Sequence, residues 1–145
     1  MIVAFACDHA GFPLRNEILA HLKNLGHDVR DFGPHDIEPL DDFPDYAGSV
    51  CRDILSWNSG RGILVCGTGI GMSIAANRFR NIRAVLAYSS EIAHTSRSHN
   101  DANVICFWAR TMSSESVLAS LDTFFSTPFL GDKYQRRNDK IEGLC

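Results

Sequence analysis

The chain has 145 residues, 45% of them hydrophobic and 21% charged, which suits one domain with a sizeable core and leaves too little for two. With 14 Lys and Arg against 17 Asp and Glu the formal charge is -3, so no overall field gathers nucleic acid or an acidic membrane surface. Cys7, Cys51, Cys66, Cys106 and Cys145 form no C-x-x-C pair, and no apolar run reaches the roughly 18 residues that a membrane helix needs. Together with an amino terminus that lacks a basic, apolar leader, this implies a cytoplasmic chain with free thiols.

In chain order, "IVAFAC" (2–7) predicts a first strand, and Leu14, Ile18, Leu22 and Leu25 then fall on one face of a helix opened by Pro13 and closed by Gly26. "HDVRDF" (27–32) predicts a weaker second strand, followed by "GPHDIEPLDDFP" (33–44), the one long loop and a candidate for shaping a site. A second helix begins near Pro44 and turns Ala47, Val50, Cys51, Ile54 and Leu55 inward. "GILVC" (62–66), "IRAVLAY" (82–88) and "NVICF" (103–107) predict three more strands, with helices over about 72–79, 90–99 and 113–126. Single helices between short apolar strands predict an α/β fold with a five-stranded, mostly parallel sheet covered on both faces. Ligands of such sheets bind beyond the carboxyl ends of the strands.

The candidate site residues lie where those strands end. "VCGTGIG" (65–71) sets a thiol before a glycine-rich turn and a helix start, where exposed amides attract a negative oxygen. Cys66 there is either a nucleophile or base, favoured as thiolate by the turn, or a small buried hydrophobe, as Cys7 and Cys106 are expected to be. Gly67-x-Gly69-x-Gly71 matches neither a dinucleotide fingerprint nor a P-loop, so no nucleotide cofactor is implied. Asp8 and His9 follow the first strand and "SRSHNDAN" (96–103) follows the fourth, and each could serve simply as a helix cap or a solvated face. The thiol, the turn, Asp-His and His-Asn are expected to converge at one sheet edge as an acid–base site. No H-E-x-x-H motif and no clustered carboxylates appear, so no metal is expected. Arg97, Arg110, Lys133, Arg136 and Arg137 are candidates for a phosphate clamp, the last three in a tail that reaches a neighbouring subunit or forms a solvated helix.

"ACDHAG" (6–11), "FPDYA" (43–47), "CGTGIGMSIAAN" (66–77), "SRSHNDANV" (96–104) and "QRR" (135–137) together resemble the type B ribose-5-phosphate isomerases, whose wider family includes galactose-6-phosphate isomerase subunits. The resemblance implies a Rossmann-like three-layer α/β/α sandwich over 1–145, a homodimer or tetramer with shared sites, and no cofactor. It also implies interconversion of ribose 5-phosphate and ribulose 5-phosphate, in the non-oxidative pentose phosphate branch. By the same resemblance Cys66 is the base, while Thr68 with Gly67, Gly69, Gly71 and Ser73 forms the cradle that holds the enediolate. His99 helps to open the sugar ring, and Asn100 joins it from the chain opposite Cys66; the chemistry of ring opening separately suggests Asp101 as the residue that orients His99. Asp8 and Tyr46 line the sugar, and His9, Arg110, Lys133 and Arg137 meet phosphate, the tail from about 128 to 145 reaching the neighbour. Two departures stand out: Lys133 replaces an expected arginine and Tyr134 an expected histidine, which loosens the grip on phosphate or shifts it toward Arg136 and Arg137. The thiol at Cys66 favours the ribose enzyme over galactose-6-phosphate subunits, some of which lack it. An isomerase of allose or galactose 6-phosphate is the alternative within the family. Outside it stand a thiol-dependent hydrolase and a non-catalytic phosphate- or nucleotide-binding module, the latter with no use for Cys66.

Overall fold

Five strands and six helices alternate in the computed structural model, which describes residues 1–37 and 39–144. They are β1 (Ile2–Cys7), α1 (Phe12–Asn24), β2 (Asp28–Asp31), α2 (Phe43–Leu55), β3 (Arg61–Cys66), α3 (Ile70–Ala76), β4 (Ala84–Leu86), α4 (Ser90–Asn100), β5 (Val104–Trp108), α5 (Ser114–Ser126) and α6 (Asp132–Glu142). The sheet order is β2-β1-β3-β5-β4, and all four pairings are parallel. Cys145, counted among the free thiols, lies outside the described residues.

Strands covered on both faces need apolar side chains on both, which is why "IVAFAC" and "RGILVC" read as near-continuous runs. Their alternate residues split the core in two. Val3, Phe5, Cys7, Ile63, Val65, Ile105 and Phe107 meet Ile18 and Leu22 of α1, Ala93 of α4, and Val117, Leu121 and Phe124 of α5. On the opposite face Ala4, Ala6, Leu64, Cys66, Val104 and Cys106 meet α2 and α3. The chain is therefore the expected three-layer α/β/α sandwich.

Three local expectations are corrected. Leu25 and Leu55 stand at helix ends that overrun the sheet, and with no strand beneath them they are 41% and 38% exposed instead of turned inward. β4 spans three residues, not the seven of "IRAVLAY", and asparagine side chains bond the backbone at its start. Asn77 bonds both the N–H and the carbonyl of Ala84, at 2.9 and 2.8 Å, and Asn103 Oδ1 accepts the Arg83 N–H at 2.8 Å. The helix expected over 72–79 begins one half-turn earlier and ends sooner, at Ala76.

Burial divides the apolar residues into those the fold rests on and those it tolerates. Phe107→Ala, at a fully buried ring, should lower unfolding free energy by about 3–5 kcal/mol. Leu55→Ala should change it by no more than about 0.5 kcal/mol. Urea denaturation of both variants checks the contrast, and equal losses would contradict it.

Candidate active site

In this strand order the chain leaves β1 toward one side and β3 toward the other, so their carboxyl ends flank a topological switch point. The loops after β1 and β3 carry Asp8 and His9 on one side and Cys66 with the glycine turn on the other. They are tied across the crevice, since the Asp8 N–H donates to Val65 O at 3.1 Å. The loop after β5 closes the third side, with the Ala109 N–H on Cys66 O and the Arg110 N–H on Gly67 O.

Cys66 is 4% exposed, and its Sγ accepts the Gly69 N–H at 3.0 Å. Cys7, Cys51 and Cys106 lie within β1, α2 and β5. Burial pushes the thiols of Cys7 and Cys51 up to about 12 and that of Cys106 well above its ordinary value, which holds all three protonated at neutral pH. Cys51 donates toward Ala76 O, whereas Cys66 alone of the four accepts an amide. The turn is made possible by Gly69, whose φ of 73° lies in the left-handed region. A Cβ there would come within 2.4 Å of Leu86 Cδ1 and 2.9 Å of Phe107 O. At Gly71 the constraint is close approach, because the Phe43 ring from the first residue of α2 would meet a Cβ at 2.6 Å.

Other candidates gather at the same edge. Thr68 Oγ1 accepts the Ile70 N–H at 3.3 Å, and this leaves its own proton to be donated outward. Ser73 Oγ donates to Ile70 O at 2.8 Å and keeps only acceptor capacity. Asp8 is buried, and its Oδ1 accepts the N–H groups of Ala10 and Gly11 at 3.0 and 2.9 Å, so it caps the loop into α1. His9 is held by Asp41, which accepts its backbone N–H and stands 2.6 Å from Nδ1, leaving Nε2 to face outward. Tyr46, in the first turns of α2, sets its ring edge near Gly33. The guanidinium of Arg110 lies against Gly67, exposed, with no ion-pair partner among the described residues.

His99, Asn100, Lys133 and Arg137 are elsewhere. They lie at or beside the carboxyl end of α4, which runs antiparallel to the strands and delivers the chain to the opposite edge of the sheet, where β5 begins. Gly62 pairs with Val104 and Cys66 with Trp108, so the two edges are four residues apart along the ladder, or about 13 Å. Cys66 also belongs to the α2–α3 face, and α4 covers the other. The expected convergence of thiol and His-Asn at one edge does not occur within a chain. Nor does Asp101 orient His99: its carboxylate meets Arg97 at 2.7 Å and Arg83 at 3.2 Å. His99 stacks instead on Tyr134, with ring centroids 4.2 Å apart and planes 8° from parallel. Lys133 Nζ and Arg137 Cζ lie 5.1 and 5.8 Å from the centre of the same tyrosine ring. The tail forms a helix, α6. Cavities of about 400 and 660 Å³ lie at this second edge, away from Cys66.

The Ribose/Galactose Isomerase family model matches residues 3–141. The chain belongs to that family. It is 40% identical to ribose-5-phosphate isomerase B of Escherichia coli (strain K12), across 98% of this chain and 95% of the relative. A ribose 5-phosphate isomerase structure from Thermotoga maritima superposes with a TM-score of 0.95 at 44% identity, covering 98% of this chain and 97% of that one. The structure of ribose-5-phosphate isomerase B from Mycoplasma genitalium with bound ribulose-5-phosphate superposes with a TM-score of 0.94 at 35% identity, covering 99% and 95% of the two chains.

If the turn is built around Gly69, adding one methyl there must disturb Leu86 and Phe107 and force a left-handed alanine. Gly69→Ala should lose at least about 1–2 kcal/mol of stability. Turnover should fall with it, because the amide on Cys66 Sγ moves. Thermal melts and initial rates test this, and a variant equal to the parent in both would contradict it.

Proposed function

We propose that the chain interconverts D-ribose 5-phosphate and D-ribulose 5-phosphate in the cytoplasm, at sites shared between two copies of itself. Supporting the reaction is the Cys66 thiol, set under the Gly69 amide at the switch point of a fold shared with ribose-5-phosphate isomerases. Cys66 takes the proton from C2, and the electrons of that C–H bond form the C1–C2 double bond as the aldehyde oxygen becomes an enediolate oxygen. The amides of Gly67 and Gly71 and the hydroxyl of Thr68 are the donors for that charge, the Gly69 amide being spent on Cys66 Sγ, with Ser73 accepting a sugar hydroxyl. The thiol then returns the proton to C1 while the hydroxyl proton of O2 passes to O1, giving the ketose with no net redox change. Every proton is handled by a side chain or by the substrate, so the steps need neither metal nor cofactor.

The phosphorylated furanose must open first, and histidine titrates in the range that ring opening needs. His99 is the proposed acid–base group, offered with Asn100 by the second subunit. The division of the candidates between two sheet edges supports this, since a second copy is the simplest way to bring His99 to Cys66. Asp8 and Tyr46 line the sugar, and His9 and Arg110 approach the phosphate from the thiol's own chain. Residues 1–145 act as one domain, with the tail from about 128 supplying Lys133 and Arg137 to the phosphate of the neighbouring subunit's site. Phosphate contacts far from C1 and C2 supply binding energy that positions the reacting carbons.

Cys66→Ala tests the reading. It should still bind ribulose 5-phosphate, with turnover at least about 1,000-fold lower, since a base is removed without its binding groups. Ketose formation from ribose 5-phosphate gives the rate and equilibrium dialysis the affinity. Near-parental turnover would make Cys66 a packing residue and overturn the assignment.

A further inference from the structure

The 660 Å³ cleft at the amino edge of the sheet has no task in this mechanism. It is lined by Trp57, Ser59 and Arg61, where the chain enters β3, and by Arg83, Arg97 and Asp101 around the start of β4 and the end of α4. Arg61 and Cys66 stand at opposite ends of β3, about 17 Å apart along the strand, so the cleft is distinct from the thiol's own pocket.

The positive charge in the cleft is incompletely matched. Asp101 serves Arg97 and Arg83 together, and Arg83 is further held by Glu142 at 2.8 Å. Arg61 has no carboxylate partner among the described residues. Its Nη1 donates to Phe124 O at 2.7 Å, and its guanidinium lies 5.4 Å from the centre of the Phe124 ring, a ring that Arg97 approaches at 5.7 Å. Burial first, and the neighbouring Arg97 second, pull the guanidinium of Arg61 down to about 10, with Asp101 acting in the opposite sense. Two like charges are thus held near one ring in a poorly solvated place.

Two buried polar groups there lack partners. Ser59 is 5% exposed and its Oγ bonds to nothing, and Arg97, 6% exposed, has an unpartnered Nε. An unmet buried donor costs about 1–3 kcal/mol, so such groups call for a ligand or a bound water. At the rim Trp57 is 94% exposed and held with a positive φ of 61°, which presents an indole to solvent beside the cleft.

We propose that this cleft is a second anion site, taking the phosphoryl group of a small phosphorylated metabolite. Its oxygens accept from the unused donors of Arg61 and Arg97 and from the Ser59 hydroxyl, while Trp57 covers the rest of the molecule. The forked guanidinium suits phosphate better than a point charge would.

The test uses the full-length protein, with Trp57 emission and dialysis of labelled inorganic phosphate as independent readouts. Trp57 is isolated by Trp108→Phe, since the chain has 2 tryptophans. The parent should bind a second phosphate per chain beyond the one at the isomerase site, with a change in Trp57 emission. Arg61→Gln should weaken that second phosphate about tenfold or more. Because Arg61 also anchors the end of α5, Ser59→Asp provides a second variant that keeps Arg61 and sets a carboxylate where the anion would lie. Both variants should retain isomerase turnover. Displacement by ribose 5-phosphate, or instead by adenosine monophosphate, would identify the source of the phosphoryl group and support the site either way. A single phosphate per chain, lost in Arg137→Ala and untouched in Ser59→Asp, would overturn the proposal and leave the buried groups to water.

Discussion

Every pairing in this sheet is parallel, so all strands end at one edge and all begin at the other. Parallel strands need crossovers, and each helix carries the chain back to the starting edge. A residue at the end of a strand and a residue at the end of a helix are therefore held apart by the length of the ladder. Cys66 is of the first kind and His99 of the second. The same constraint that makes the thiol edge a good binding crevice thus keeps His99 and Asn100 of the same chain away from it.

What each edge does follows from how its backbone groups are satisfied. At the thiol edge, peptide N–H groups are spent on Val65 O, Cys66 O and Gly67 O to knit the three strand-end loops together, and the Gly69 amide is spent on Cys66 Sγ. At the opposite edge the charged side chains do the knitting. Arg83 reaches Asn100 O, Asp101 and Glu142, joining β4, α4 and α6 at one guanidinium. Tyr134 and Asn138 add a ring stack and a bond of 3.5 Å to the backbone of His99. The helix bearing Lys133 and Arg137 is thereby fixed against the helix bearing His99. Those residues can be presented to a second copy as one unit.

Much of this was legible in the sequence, and the failures have physical causes. Strands were visible because buried parallel strands must be apolar on both faces. Glycines at 67, 69 and 71 were visible because a left-handed turn and a packed phenylalanine admit little else. Leu25 and Leu55 misled because helical periodicity does not reveal where the sheet beneath a helix stops. The start of β4 was hidden because the Asn103 side chain takes the Arg83 N–H, a contact across sequence that no local pattern encodes. Asp41, the partner of His9, lay unnoticed in the acidic loop "PLDDFP", where adjacency to a long loop was the only signal. A gathering of His99 and Cys66 at one edge within a chain is not met because "SRSHNDAN" ends a helix, and helix ends of an α/β sheet face away from strand ends.

The central claim is that Cys66 of one chain works with His99 of another, and the most direct measurement is activity after subunit exchange. Cys66→Ala and His99→Asn chains, each inactive alone, are unfolded together in equal amounts and refolded. A mixed dimer has one site with both residues intact and one with neither. Random pairing makes half of the dimers mixed, so about a quarter of parental activity should return. If mixed dimers form, as mass spectrometry of the native assembly would show, and activity stays at the level of the separate variants, the shared site is contradicted.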